Sequence, residues 1–344
     1  MLAPAAFEGS RTAGYLDTAT YGLPPDATLL ALEEALRGWR EWEDWYRWEQ
    51  DGEACRRLFA RIVGASTDEV ALVPAVSAAA GVVAASLAAE PGDNVVCYEH
   101  EFQSGLFPWL LLERRGVEVR LRGLDALAEA VDARTVLVAV SAVQSADGQV
   151  ADLEALKDAG APLFLDATQS AGVLPVDLEG VDFLAAGSYK WLLCPRGLCF
   201  LYVRRERLAE VEPWLAGWKA IDDVYERYYG PPMNLTGGAR RLDTSLPWLV
   251  AAGGRPSLEL IAELGVERIA AHDLALARRF CAGLGIPQTG SAIVQVGVES
   301  SGEAVARLRA AGIKCTARAG ALRFAFHLYN DESDVERALE ALQS

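Results

Sequence analysis

The sequence predicts an α/β protein: a mostly parallel sheet of seven strands flanked by helices, with a smaller α+β domain at the C-terminal end. Three observations carry this prediction. Seven apolar runs of strand length recur before residue 204, and helix-period segments lie between several of them. The runs are near-continuous in Val, Leu and Phe rather than alternating, as suits strands covered on both faces. After about residue 235 the chain changes to long helices and short strands.

The strand candidates, in order, are EVALVP (69–74), NVVCYE (94–99), VEVRL (117–121), TVLVAVS (135–141), PLFLD (162–166), DFLAA (182–186) and LCFLYV (198–203). LDALAEAVDA (124–133) and ADLEALKDAG (151–160) read as connecting helices, so the sheet is built by crossovers. The link between 182–186 and 198–203 is too short for a crossover, which predicts an antiparallel member there. WREWEDWYRWE (39–49) carries Trp39, Trp42, Trp45 and Trp48 three apart, a spacing that predicts one slowly drifting helix stripe used for packing or as a subunit contact. Downstream, 256–285 reads as one helix with a glycine stop. It is followed by a strand in 291–298, a helix at 302–312, strands near 313–317 and 321–326, and a closing helix at 331–343. The Gly- and Pro-rich YYGPPMNLTGGARR (228–241) marks the expected boundary between a large domain, 25–235, and a small one, 236–344.

A net charge of −16 argues against nucleic acid and anionic membranes as partners. The N-terminus has no basic segment followed by an apolar core, so no signal peptide is expected. The small-apolar run VSAAAGVVAASLAA (76–89) is too short to span a bilayer. Six scattered cysteines read as free thiols of a cytoplasmic protein, and neither they nor the three histidines have metal-site spacing.

In such sheets ligands sit beyond the carboxyl ends of the strands. That edge gathers Ser77, Phe102, Gln144, Asp166, Gln169 and Lys190. Only four of the 32 basic residues are lysine, so a lysine at 190 in an apolar, glycine-punctuated run asks for a reason. An amine can lose its proton and attack a carbonyl, whereas a guanidinium stays protonated. With a carboxylate at a strand end, the set suits pyridoxal 5′-phosphate. Lys190 would form the Schiff base and Asp166 would pair with the pyridine nitrogen. Ser77, the adjoining amide of Ala78, Ser188 and Tyr189 would meet the phosphate, and Phe102 would face the ring.

FLDATQSAG (164–172), together with GSYKWLLCPRG (187–197), whose lysine lies 24 residues after the aspartate, resembles the class V aminotransferases, a superfamily that includes cysteine desulfurases, isopenicillin N epimerase-like proteins and kynureninase. YLDTATYGLPP (15–25), EFQSGLFPWL (101–110) and LRFAFHLYNDESDVERAL (322–339) extend the likeness along most of the chain. The resemblance implies the fold type I of pyridoxal-phosphate enzymes and an N-terminal segment, 1–24, at the active site. It implies that Gln169 bonds the ring's phenolic oxygen, that Thr168 packs opposite Phe102, and that Arg323 binds the substrate's α-carboxylate with Tyr21 and Gln144 nearby. It also implies a homodimer, in which RRLDTSLPW (240–248) reaches the partner's phosphate. Two departures stand out. Ala142 replaces a family asparagine, and GIKCTARAGALRF (312–324) is too short to hold the nucleophilic-cysteine loop of desulfurases.

The function expected is therefore an enzyme acting on an amino acid, of aminotransferase or epimerase type. A cysteine desulfurase-like enzyme or C–S β-lyase is the alternative. A non-catalytic member of the fold or a nucleotide-binding protein is the second alternative, although no strand is followed by a GxGxxG or Walker pattern.

Overall fold

The computed structural model describes residues 1–343. Helices α1 (Asp26–Arg40) and α2 (Tyr46–Val63) lead into β1 (Val70–Val73) and α3 (Val76–Ser86). Then come β2 (Asn94–Tyr98), α4 (Gln103–Leu110), β3 (Glu118–Arg122), β4 (Thr135–Ser141), α5 (Leu153–Asp158), β5 (Leu163–Asp166), β6 (Phe183–Gly187) and β7 (Cys199–Val203). These seven strands form one sheet in the order β1-β7-β6-β5-β4-β2-β3. All neighbours are parallel except β7, which runs antiparallel to both β6 and β1. The short 182–203 connection thus yields the antiparallel member that its length demands.

Every residue of β1, β2, β5, β6 and β7 is buried, because helices cover both faces. Successive residues feed opposite cores. Val70, Leu72, Leu165 and Phe200 join Phe59 on one side, while Ala71, Val73, Phe164 and Leu201 pack with α3 and Trp109 on the other. The alanine-rich α3 buries Ala79, Ala80, Val82 and Val83, and its small side chains bring the helix close to the sheet.

The chain continues through α6 (Trp248–Leu264) and α7 (Val266–Leu284) to a three-stranded antiparallel sheet, β8 (Ile293–Val296), β10 (Ala321–Ala325) and β9 (Thr316–Arg318), backed by α8 (Ser301–Ala310) and α9 (Glu332–Gln343). The N-terminal segment runs alongside it: the Leu16 amide donates to the Lys314 carbonyl at 2.8 Å, and the Leu16 carbonyl accepts from Ala325 at 2.9 Å.

Three expectations change. Segment 124–133 forms two single 3₁₀ turns instead of a helix. The Asp132 carboxylate accepts from Arg134 N and Asn94 Nδ2, which pulls the chain into β4 before a helix can propagate. The expected helix 256–285 is two helices, parted at Gly265, whose φ of +79° is open to glycine at little cost. The tryptophans share no stripe either: α1 stops at Arg40, Trp42 takes φ +66° in the turn, and the Asp44 carboxylate then accepts from Tyr46 N as α2 begins. Trp42 is left in solvent, whereas Trp48 is buried and Trp45 stacks on Trp248 at 5.5 Å.

Candidate active site

Register brings the chemistry together. Ser141 pairs with Asp166, Asp166 with Ala185, Gly187 with Cys199, and Cys199 with Val73, so the ends of five strands meet at one edge. A cavity opens there. Phe102, Asp166, Thr168, Gln169, Tyr189 and Lys190 line it, together with Ala75, Val76, Ser104 and Arg196.

Lys190 sits in a closed turn after β6. The Ser188 amide donates to Leu198 O, the Cys194 amide to Ser188 O, and the Leu193 amide to Lys190 O, with Leu193 held at φ +59°. The N-terminal segment locks the turn from outside. Gly22 N donates to Tyr189 O at 2.9 Å, and a Cβ at Gly22 would lie 2.1 Å from the Lys190 carbonyl oxygen, so no other residue fits. The Lys190 amine has no ion-pair partner among the described residues and lies 5.9 Å from the Phe102 ring and 5.8 Å from the Tyr189 ring. Burial pulls its pKa down to about 8, and the arginines 323, 318 and 196 push the same way, against Asp166.

Asp166 is the complementary group. Burial raises its carboxyl to about 6, the nearby Glu101 adds to the rise, and the Thr168 amide donating at 2.9 Å opposes it. No cation pairs with it among the described residues, although it lines the cavity. A buried carboxylate awaiting a cation, a buried amine of lowered pKa and an exposed aromatic ring are the donor set that pyridoxal 5′-phosphate needs, so the residues fit that cofactor.

Thr168 and Gln169 are fixed in turn. Thr168 Oγ1 accepts from Gly187 N at 3.0 Å. Gln169 Oε1 accepts from the Trp191 indole at 2.7 Å, and its Nε2 donates to Ala19 O at 3.1 Å. An indole only donates and a carbonyl only accepts, so the amide can point just one way. One Nε2 hydrogen remains for the cavity.

Other expected residues lie elsewhere. The fully buried Ser188 donates its hydroxyl to Leu198 O at 2.7 Å and is turned from the cavity. Ser77 and Ala78 lie in the first turn of α3, and the Ser77 side chain lines the neighbouring recess between α3 and α4. Gln144 is buried behind the site, its Nε2 shared by Glu101 and the Ser141 carbonyl at 3.3 Å each. Tyr21 sits outside, half-exposed, its ring 5.5 Å from that of Tyr15. Arg323, on β10, is buried one layer back. It donates to Ser145 O at 2.5 Å and to Thr20 Oγ1 at 2.6 Å, lies 3.6 Å from Asp17, and leaves Nε without a partner. Burial lowers its pKa to about 10. The 240–248 segment is anchored under β1, where Asp243 accepts from Leu72 N at 2.8 Å and pairs with Arg56.

Glu101 and Arg196 escaped the sequence reading. The Glu101 carboxylate accepts from Ser141 N and Oγ at 2.7 and 2.6 Å and from Phe102 N at 2.8 Å. Its place beside the aromatic residue at a strand end was the available signal. All six cysteines are buried. Cys315 immediately precedes β9, its thiol pushed up to about 12 by burial, and burial raises that of Cys199, on the cavity wall, further still.

The family model for class-V aminotransferases matches residues 45–289. An uncharacterized aminotransferase of Bacillus subtilis, YcbU, is 30% identical over 311 residues, covering 84% of this chain and 82% of that protein. A probable cysteine desulfurase of Aeropyrum pernix is 27% identical, over 96% of this chain and 93% of its own length. Among solved structures, the apo cysteine desulfurase of Thermococcus onnurineus NA1 superposes with a TM-score of 0.83 at 24% identity, covering 96% of this chain and 94% of that one. The cystine C–S lyase C-DES, in complex with its reaction product cysteine persulfide, gives 0.88 at 20% identity over 98% of both chains; at such identities these two likenesses speak for the fold. Sheet order, the opposed lysine and aspartate, and the family match converge: the chain belongs to the class-V aminotransferase family of pyridoxal-phosphate-dependent enzymes.

Proposed function

We propose that this protein acts at the α-carbon of an amino acid, as an aminotransferase- or epimerase-type enzyme with no sulfur nucleophile of its own. The observation that carries the reading is the buried Lys190 amine facing one cavity with Asp166, in a chain whose cysteines are all buried. When bound, the cofactor supplies a carbonyl carbon for amines and a protonated ring that withdraws electrons from the substrate's α-carbon.

This chain's residues do the rest. Asp166 holds the proton on the ring nitrogen. Phe102 and Thr168 would hold the ring between them, and the free Nε2 hydrogen of Gln169 would serve its phenolic oxygen. Arg323, now held by Ser145 and Thr20 behind the cavity, would take the substrate carboxylate by a charge-assisted contact once its guanidinium exchanges one of these partners. Lys190 Nζ, half-unprotonated near pH 8, accepts the α-proton and returns it. Two copies pair through the apolar recess between α3 and α4, where Phe107 and Leu111 are exposed next to the cavity.

A second reading, C–S β-lysis, is favoured by the hairpin between β9 and β10. Only Ala319 and Gly320 connect the strands, leaving no loop for a catalytic thiol, and β-elimination requires none. A screen of L- and D-amino acids decides. Keto acid with the amine form of the cofactor supports transamination. Loss of optical activity without keto acid supports epimerisation. Pyruvate and a sulfur product from cysteine or cystine support the lyase. Sulfide release that disappears in Cys315→Ser overturns both readings.

A further inference from the structure

We infer that Arg196 is the cation that holds the cofactor's phosphate, an inference that rests on the cofactor reading above. Of the hydroxyls first expected there, that of Ser188 is committed to Leu198 O, Ser77 lines the adjoining recess, and Tyr189, which lines the cavity, carries no charge. A dianion nonetheless needs positive charge beside it. Ala75 and Val76 line the cavity at the start of α3, where the first amides of an eleven-residue helix have no partners within the helix.

Arg196, exposed at the surface, lines the same cavity. Its guanidinium lies over the Tyr189 ring, 5.0 Å from the centroid. Gly197, at φ +122°, forms the turn that presents it before β7 begins. Among the described residues Arg196 has no ion pair and no hydrogen bond, unlike Arg323, which is held by Thr20 and Ser145. Lys190 and Asp166 are the other charged residues lining the cavity, and the ring chemistry occupies both. Arg196 is thus an unpaired cation carried on an aromatic face in the cavity that the first turn of α3 also lines, with a planar fork suited to two phosphate oxygens. Seating the phosphate there also relieves part of the repulsion that Arg196 exerts on a protonated Lys190.

The test is titration of the apo protein with pyridoxal phosphate and, separately, with pyridoxal, following the visible absorbance of the bound cofactor. Arg196→Met is expected to weaken pyridoxal phosphate on the order of 10- to 100-fold and to leave pyridoxal unchanged. Arg196→Lys is expected to recover part of the loss. Inorganic phosphate is expected to compete with pyridoxal phosphate for the wild type and to lose that effect in Arg196→Met. Equal weakening of both ligands, or none, overturns the assignment, as does a Met variant whose sole defect is a raised KM for acidic amino acids. Wild-type protein that takes up neither ligand overturns the cofactor reading itself, which is a different outcome from an unchanged Arg196 variant.

Discussion

Replacing Trp191 by Phe removes one N–H and leaves most of the ring. Trp191 is fully buried, donates at 2.7 Å to Gln169 Oε1 and meets His327 edge to face at 5.1 Å. Phe retains the aromatic contact, so the chief chemical loss is the hydrogen bond. A buried amide oxygen then stands without a donor, at about 1–3 kcal/mol. It also loses its orientation, because the indole is what forces Nε2 toward Ala19 and the cavity. Packing changes from the smaller ring are separated by a double-mutant cycle with Gln169→Leu, in which the partner is absent. Urea unfolding of the four proteins is expected to show a combined loss about 1–2 kcal/mol smaller than the sum of the single losses. Pyridoxal phosphate affinity is expected to fall in Trp191→Phe and to be insensitive to that change once Gln169 is Leu. Additive losses would refute the argument that the indole sets the amide.

Attachment of pyridoxal phosphate to the apo protein is expected to rise with pH through about 8, since burial lowers the Lys190 pKa and only the free amine reacts. Borohydride trapping and peptide mapping place the label on Lys190, and a midpoint left in the ordinary lysine range contradicts the burial argument. In Asp166→Asn that midpoint is expected to move down, because the carboxylate is what holds the Lys190 proton on. The same variant tests stability without cofactor. The folded carboxyl at about 6 lies above its ordinary value of 3.8, so the folded form binds the extra proton. That contribution is fully present below 3.8 and is lost as pH rises through about 6, and Asp166→Asn should remove this share of the pH dependence of apo-protein melting points across the window. Cys315→Ser is expected to retain full turnover, whereas Arg323→Ala raises KM for amino acids on the order of 10- to 100-fold, read from initial rates. Asp243→Asn breaks a buried ion pair with Arg56 and weakens the acceptor of Leu72 N; denaturant unfolding should show about 3–5 kcal/mol lost.

Much of the site was legible in the chain because it hangs on strand ends. Asp166 closes β5 and Lys190 follows β6 by three residues, and the two strands are parallel neighbours. Once continuous apolar runs identify buried parallel strands, whatever follows their carboxyl ends shares one edge. Phe102, Gln169, Tyr189 and Lys190 needed no further information to be brought to one cavity, whereas Thr168 entered through the family resemblance. The scarcity of lysine and the spacing from Asp166 to Lys190 are likewise properties of the chain alone.

Side-chain direction was not. Ser188 is next but one to Lys190, yet its hydroxyl turns away because the Leu198 carbonyl, ten residues on, is brought beside it when β7 reverses against β6. Gln144 turns to Glu101 across 43 residues, and Gln169 is held by Ala19 across 150. Such partners are invisible to any local pattern, since a polar group in a dry interior takes the complement that the fold delivers. The helix breaks tell the same story at the level of backbone. The regular spacing of the tryptophans was real, but Trp42 is a turn residue because Asp44 and Glu43 cap and close the chain there. Sequence periodicity sets which residues can face a core; only the packed molecule decides which polar atoms meet, because each must find its partner in the space that the rest of the chain leaves.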